Sequence, residues 1–279
     1  MRPFAPVVAV LALLAGCATA PPMALGSAPS TGRAGAAAVA GRPGSVGTAW
    51  RPAAIQRWQW QLTGEVDLSV AAEVYELDAF TTAAADVDRL HAAGRRAICY
   101  LNVGAYEAFR PDAGRFPPSV LGKQNGWAGE RWLDIRQWSV LEPVLADRVG
   151  LCRRKGFDAV EADNVDGYLH PTGFLLTADQ QLLFNRRVAA LARAHGLAVG
   201  LKNDLDQAAA LEPDFDFAVS EECFRYAECH RLAPFTAARK PVLEVEYDLS
   251  TDEFCDRATA LGFASMRKRP ELTAWRDPC

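Results

Sequence analysis

Acidic and amide side chains gather in three short stretches: Glu161-Ala162-Asp163-Asn164-Val165-Asp166-Gly167-Tyr168, Lys202-Asn203-Asp204 and Ser220-Glu221-Glu222. Two carboxylates drawn from different stretches and held at one place can break a glycosidic bond. One protonates the leaving oxygen while the other attacks carbon or activates water. A calcium loop is excluded for the first stretch. With Gly167 at the sixth loop position, Ala162 and Gly173 fall where acids are required. Lys202 introduces a competing chemistry, since a lysine at a strand end forms a Schiff base if burial lowers its pKa. Its acidic neighbours oppose that. The four histidines (His91, His170, His195, His230) are scattered, and neither HExxH nor CxxC occurs. No metal and no organic cofactor is therefore expected.

These residues need a scaffold that brings separate stretches together. From Trp58 onward, β-rich runs alternate with helical ones. Strands are predicted over 58–62, 74–77, 96–103, 157–161, 197–201, 215–219, 242–245 and 262–266. Helices are predicted over 84–93, 139–155 and 177–195, stopping at Gly94, Gly156 and Gly196, with a long irregular loop before the second of them. Eight strands in about 220 residues fit a single-domain α/β fold, the (β/α)8 TIM barrel, whose active sites lie at the C-terminal strand ends. An open doubly wound sheet is the alternative, but Leu62-Thr63-Gly64-Glu65 is not a GxGxxG turn. Polar groups do cluster at the predicted strand ends: Gln59 and Gln61, Glu76 and Asp78, Tyr100 and Asn102, the three stretches above, and Glu244, Glu246, Tyr247 and Asp248. Strand alternation turns Glu161 and Asp163 inward with Phe157 and Ala159, and Glu221 inward with Phe217 and Val219. Trp58, Trp60, Tyr100, Tyr106, Trp127, Trp132, Tyr168 and Tyr247 offer rings that stack on sugars, although a strand tryptophan more often packs a core.

The 279 residues carry a net charge of −4, unevenly spread. Residues 1–49 hold three arginines and no acid, and Phe4 is the only aromatic residue before Trp50. The remainder sets 27 Lys and Arg against 34 Asp and Glu, an acidic balance that argues against nucleic acid as a partner. A short charged start and an apolar run over Pro6–Ala15 form a secretory signal, ending in Leu14-Ala15-Gly16-Cys17 like a bacterial lipobox. The expected organisation is a lipoprotein signal peptide at 1–16, a lipidated Cys17 with a flexible Ala/Gly/Pro/Ser/Thr linker at 17–49, and the barrel at 50–279. The protein would then be exported, touching membrane only through its anchor. The other six cysteines suit an oxidising compartment. Cys223 and Cys229 are close enough in sequence to pair, which leaves Cys255–Cys279 and Cys99–Cys152 by elimination.

Six motifs in order, WQWQL, VYELDAF, ICYLNVGAYEAFRPDAGRFP, GFDAVEADNVDGY, GLAVGLKND and FAVSEECFRYAEC, resemble glycoside hydrolase family 114. The resemblance covers nearly everything from Trp58 to Cys279. It implies a (β/α)8 endo-α-1,4-polygalactosaminidase acting on partially deacetylated, galactosamine-containing exopolysaccharide. It also implies a catalytic pair, an Asp in the fourth-strand motif and a Glu in the sixth, which map onto Asp163 and Glu221. Where the family often has Asn and Gln around that Glu, this chain has Ser220 and Glu222, so alternation is what favours Glu221 over Glu222. The expected mechanism is retaining, with Asp163 as nucleophile and Glu221 as general acid/base. Trp60, Asp78, Tyr100, Asn102, Glu161, Asn164, Asp166, Tyr168, Lys202, Asn203, Glu222 and Tyr247 are the expected substrate-binding and supporting residues. An acidic cleft would attract the ammonium groups of deacetylated units. The alternatives are a surface-tethered polysaccharide-binding barrel without turnover and a Schiff-base lyase using Lys202.

Overall fold

A computed structural model describes residues 50–279 except 54 and 56. The signal, Cys17 and linker expectations lie outside the described residues. The chain forms strands β1 (Trp58–Gln61) and β2 (Val74–Asp78), helix α1 (Ala84–Ala92), and strands β3 (Arg96–Asn102), β4 (Ala105–Glu107), β5 (Leu121–Gln124) and β6 (Glu130–Leu133). Next come helix α2 (Trp138–Lys155), β7 (Ala159–Asp163), α3 (Ala178–Ala194), β8 (Ala198–Lys202), α4 (Ala208–Leu211) and β9 (Phe217–Glu221). The chain closes with α5 (Ala233–Ala237), β10 (Val242–Glu246), α6 (Thr251–Leu261), β11 (Ala264–Arg267) and β12 (Asp277–Pro278).

Eight strands pair in parallel in the order β1-β2-β3-β7-β8-β9-β10-β11, and β12 adds antiparallel to β11. The seam between β11 and β1 is bridged by side chains and loops. Trp58 Nε1 donates to Ala264 O at 2.8 Å, Leu62 N to Leu272 O at 2.9 Å, and Gln59 Nε2 to Ala274 O at 2.7 Å. One buried cluster draws Trp58, Val74, Ile98, Ala159, Ala198, Phe217, Leu243 and Ala264, one from each strand, into the barrel interior. The opposite strand faces pack Leu77, Cys99, Val160, Val199 and Ala218 against α2, α3 and α6 in the outer core. This is the predicted (β/α)8 barrel, with the β1–β2 connection reduced to a loop.

Several predicted strands lie two residues later than expected: 159–163 replaces 157–161, and 217–221 replaces 215–219. A shift of two preserves facing, so Ala159, Phe217 and Val219 stay inward, but Phe157, expected to face inward, lies before β7 begins and packs in the outer core with Val160 and Ala162. Helix α3 starts where predicted. Thr177 Oγ1 accepts from Gln180 N at 3.2 Å while Gln180 Oε1 accepts from Thr177 N at 3.1 Å, a reciprocal cap. The predicted irregular loop after β3 instead contains the antiparallel sheet β4-β6-β5. Its strands are three or four residues long, too short for period-2 alternation to stand out among glycines and prolines.

Two glycines mark close approaches. A Cβ at Gly200 would sit 2.2 Å from the Phe217 ring, so glycine there is what lets phenylalanine fill the barrel. A Cβ at Gly104 would lie 1.7 Å from the Asn164 carbonyl oxygen, and Gly104 N donates to Asp163 O at 3.2 Å. Gly104→Ala must therefore displace the end of β7. It is expected to cost about 3 kcal/mol by overpacking. Any activity that depends on Asp163 should fall further than the loss of folded protein explains, because Asp163 moves with the backbone. Thermal melts and activity on the same sample check this; an unchanged melting temperature sinks it.

Three disulfides are formed: Cys99–Cys152, Cys223–Cys229 and Cys255–Cys279. The first ties β3 to α2 and is fully buried, whereas Cys279 is exposed and Cys255 half-buried. Reduction requires access, so Cys255–Cys279 is expected to open first under limiting reductant, with a loss of about 3 kcal/mol for its loop. Alkylation and mass mapping should find Cys99 and Cys152 labelled only after global unfolding. Labelling of that pair first would contradict the burial argument.

Candidate active site

The last inward positions of the central strands gather at one end of the barrel: Asn102 from β3, Asp163 from β7, Lys202 from β8, Glu221 from β9, and Tyr247 just past β10. Lys202 is the hub. Its Nζ lies 2.9 Å from Glu221 Oε2, 3.2 Å from Asp163 Oδ1 and 3.6 Å from Glu161 Oε1, and 4.9 Å above the centre of the Trp60 ring. Asp163 Oδ2 also accepts from Tyr100 OH at 2.7 Å and Asn164 Nδ2 at 3.1 Å. Tyr247 OH donates to Glu221 Oε1. The Asn203 side chain holds the Glu221 backbone, accepting from its N–H at 3.0 Å.

Strands β7, β8 and β9 each turn sharply directly after their functional residue. Asn164, Asn203 and Glu222 adopt left-handed φ values of 58°, 49° and 59°. Asparagine tolerates that region because its short amide can bond locally; Glu222 does so at a cost of order 1 kcal/mol. After the turn Glu222 pairs with Arg225 at 2.6 Å, whereas Glu221 is the one that meets Lys202.

Charge is unevenly shared. Burial pushes the Glu161 carboxyl up to about 8, and nearby Asp163 and Glu221 add to that while Lys202 opposes it. For Lys202, burial works against the ammonium, but Asp163, Glu221 and Glu161 overcome it and hold the pKa well above the usual lysine value. That direction removes the free amine a Schiff base needs. Burial, then the Asp163 and Glu221 charges respectively, also raise Tyr100 and Tyr247, keeping both phenols as donors.

Several sequence expectations need correction. Trp60 and Glu161 are 1% and 0% exposed, so neither can touch a substrate; they form the floor beneath Lys202. Asp78 is buried and occupied, accepting from Phe80 N at 2.9 Å and Thr81 N at 2.8 Å and pairing with Arg110 at 2.6 Å. Although burial opposes it, the Arg110 guanidinium holds Asp78 below the usual carboxylate range. Asn102 is 1% exposed and acts inside the wall, its Oδ1 accepting from Ala105 N at 2.8 Å. Asp166 and Tyr168 follow β7 outside the Lys202 cluster, with Asp166 paired to His170 at 3.0 Å. Glu244 and Glu246 point outward from β10, where burial, and then the neighbouring Glu246, raise the Glu244 carboxyl well above the usual carboxylate range. Trp58 and Trp132 are core residues, whereas Trp127 is 63% exposed.

One cleft residue had no distinguishing signal in the sequence. Glu130, on β6, accepts from Asn125 Nδ2 at 2.8 Å and Asn102 Nδ2 at 3.3 Å. Burial raises its carboxyl to about 7, with Glu107 and Asp163 contributing. Among the described residues no group of His, Cys, Asp and Glu is arranged to hold a metal ion.

Two carboxylates around one ammonium at a barrel mouth describe many glycosidases, and comparison with known proteins narrows them. The sequence matches Glycoside-hydrolase family GH114 over residues 40–279. The chain belongs to this family. It is a glycoside hydrolase. A GH114 chain of this length is similar to Ega3 of Aspergillus fumigatus, solved in complex with galactosamine, at 35% identity and a TM-score of 0.79; the match covers 84% of this chain and 98% of that one. The glycoside hydrolase domain of PelA from Pseudomonas aeruginosa shares the fold at 15% identity and a TM-score of 0.63, over 80% of this chain and 98% of that one. No curated protein matches the sequence.

Proposed function

We propose that this GH114 enzyme cleaves internal α-1,4 bonds of a partially deacetylated galactosamine exopolysaccharide with retention. The observation that carries this reading is the Asp163–Lys202–Glu221 bridge. Nζ lies 2.9 Å from one Glu221 oxygen and 3.2 Å from one Asp163 oxygen, so those oxygens are at most about 6 Å apart. Retaining pairs stand about 5–5.5 Å apart and inverting pairs about 6.5–9.5 Å, so the bridge favours retention. Asp163 attacks the anomeric carbon as Glu221 gives its proton to the departing oxygen. Water, deprotonated by Glu221, then releases the sugar from Asp163 and restores both groups. Galactosamine bound to Ega3 supports the choice of sugar.

The domain at 50–279 is proposed to work outside the cytoplasm, tethered by an acylated Cys17 and a linker over 18–49. Three disulfides and the lipobox-like Leu14-Ala15-Gly16-Cys17 support that placement. Incubation with deacetylated α-1,4-galactosamine polymer, followed by mass analysis, should show a ladder of oligosaccharides and, by NMR, α-anomers formed first. Polymer binding without any new reducing ends would return the protein to the class of tethered binding barrels.

A further inference from the structure

Around the cleft, several acids are matched to cations. Asp163 and Glu221 meet Lys202, while Asp78 and Glu107 meet Arg110 at 2.6 and 2.7 Å. Glu130 is not so matched. It sits half-buried on β6, and among the described residues no lysine, arginine or histidine forms an ion pair with it. Its carboxylate is nonetheless aimed. Asn125 and Asn102 both donate to Oε2, leaving Oε1 without a partner from either. Asn102 is the ladder neighbour of Asp163, so Glu130 lies one side chain from the residue beside the nucleophile. Asn125 uses its other end as well, its Oδ1 accepting from Trp127 N at 3.1 Å. The same turn carries the exposed Trp127, so a held carboxylate and an exposed indole, a polar anchor and an apolar face of the kinds a sugar ring needs, come from one short segment.

We infer that Glu130 is a specificity-determining residue that reads the ammonium group of a deacetylated hexosamine unit beside the scissile bond. This rests on the galactosamine reading above and deepens it. A carboxylate gains a charge-assisted bond from an ammonium, whereas an N-acetyl group offers only a neutral N–H and brings a methyl toward the acid. Glutamine at 130 keeps an oxygen for both asparagines while removing the charge, so the wall should keep its shape.

Binding is the readout, in the turnover-deficient Asp163→Asn background, using calorimetry with galactosamine oligosaccharides and their fully N-acetylated counterparts of equal length. Glu130→Gln is expected to weaken binding of the deacetylated oligomers about tenfold and of the acetylated ones less than about twofold. Asn125→Ala, which leaves the charge but loosens its aim, should show the same selectivity with a smaller factor. Equal losses on both ligands, or none on the deacetylated one, overturn the assignment. If Glu130-dependent binding is present but the unmodified enzyme cuts no galactosamine polymer, the hydrolytic reading of that substrate fails and this one stands. If the parent binds neither oligomer, both fall.

Discussion

Asp163→Asn is expected to lower turnover of deacetylated galactosamine polymer by about 10⁴-fold or more, and Glu221→Gln by about 10²–10⁴-fold, with folded structure retained. The difference follows from the roles proposed for them, nucleophile and general acid/base. Asparagine cannot form the glycosyl-enzyme bond at all, so both half-reactions are lost. Glutamine at 221 removes a proton donor, and its cost depends on how much protonation the departing oxygen needs. Both substitutions keep polar atoms for Tyr100 and Tyr247, so thermal melts should change little. Reducing-end assays under substrate saturation measure the effect. Activity within tenfold of the unmodified enzyme in either variant removes that residue from the catalytic pair. A substrate with an activated leaving group sharpens the division: it should restore the first half-reaction in Glu221→Gln but not in Asp163→Asn.

Lys202→Met is expected to be nearly as damaging, for an electrostatic reason. The ammonium touches Asp163, Glu221 and Glu161 in a site where Lys202 is 5% exposed and Glu161 is 0% exposed. Removing one member of a buried ion pair costs about 3–5 kcal/mol, because the remaining charges keep their desolvation penalty. Burial already pushes the Glu161 carboxyl up to about 8 against the opposing charge of Lys202, so removing that cation raises it further. With a raised folded pKa, the stability contribution is present at low pH and is lost as pH rises through that value. The deficit in melting temperature should accordingly shrink as pH falls from about 8 toward 5, while the activity loss, about 10²-fold or more at neutral pH, persists. A deficit independent of pH would mean that Lys202 acts through packing on Trp60 rather than by charge.

The first of these expectations could be framed before the fold was known, because the strands announce themselves chemically. Trp58-Gln59-Trp60, Ala159-Val160-Glu161-Ala162-Asp163 and Phe217-Ala218-Val219-Ser220-Glu221 alternate; alternation turns Asp163 inward and favours Glu221 over Glu222, while the resemblance to family 114 is what singles out Asp163 within its motif. A two-residue error in strand limits did no harm, since facing repeats every two residues. The same arithmetic was ambiguous about depth. Trp60 and Glu161 face inward as expected, yet they lie one layer below Lys202 and are closed off from solvent. Alternation reports direction, and only the stacking of layers within the barrel reports which inward residue reaches the mouth.

Glu130 shows the other limit. It stands in a stretch without a readable period, and nothing in Gly129-Glu130-Arg131-Trp132 marks an acid in the cleft. Its environment is made by Asn102 and Asn125, 28 residues before it and five residues before it. The sequence by itself determined the parallel α/β barrel, the inward identity of Asp163, Lys202 and Glu221, and the family, because these depend on local alternation and on ordered motifs. Tertiary structure alone decided that Lys202 bridges the two carboxylates, that Glu161 and Trp60 are floor, and that Glu130 is an acid without a cation. Those are properties of distance and burial, and they arise only when strands separated by tens of residues become neighbours around one axis.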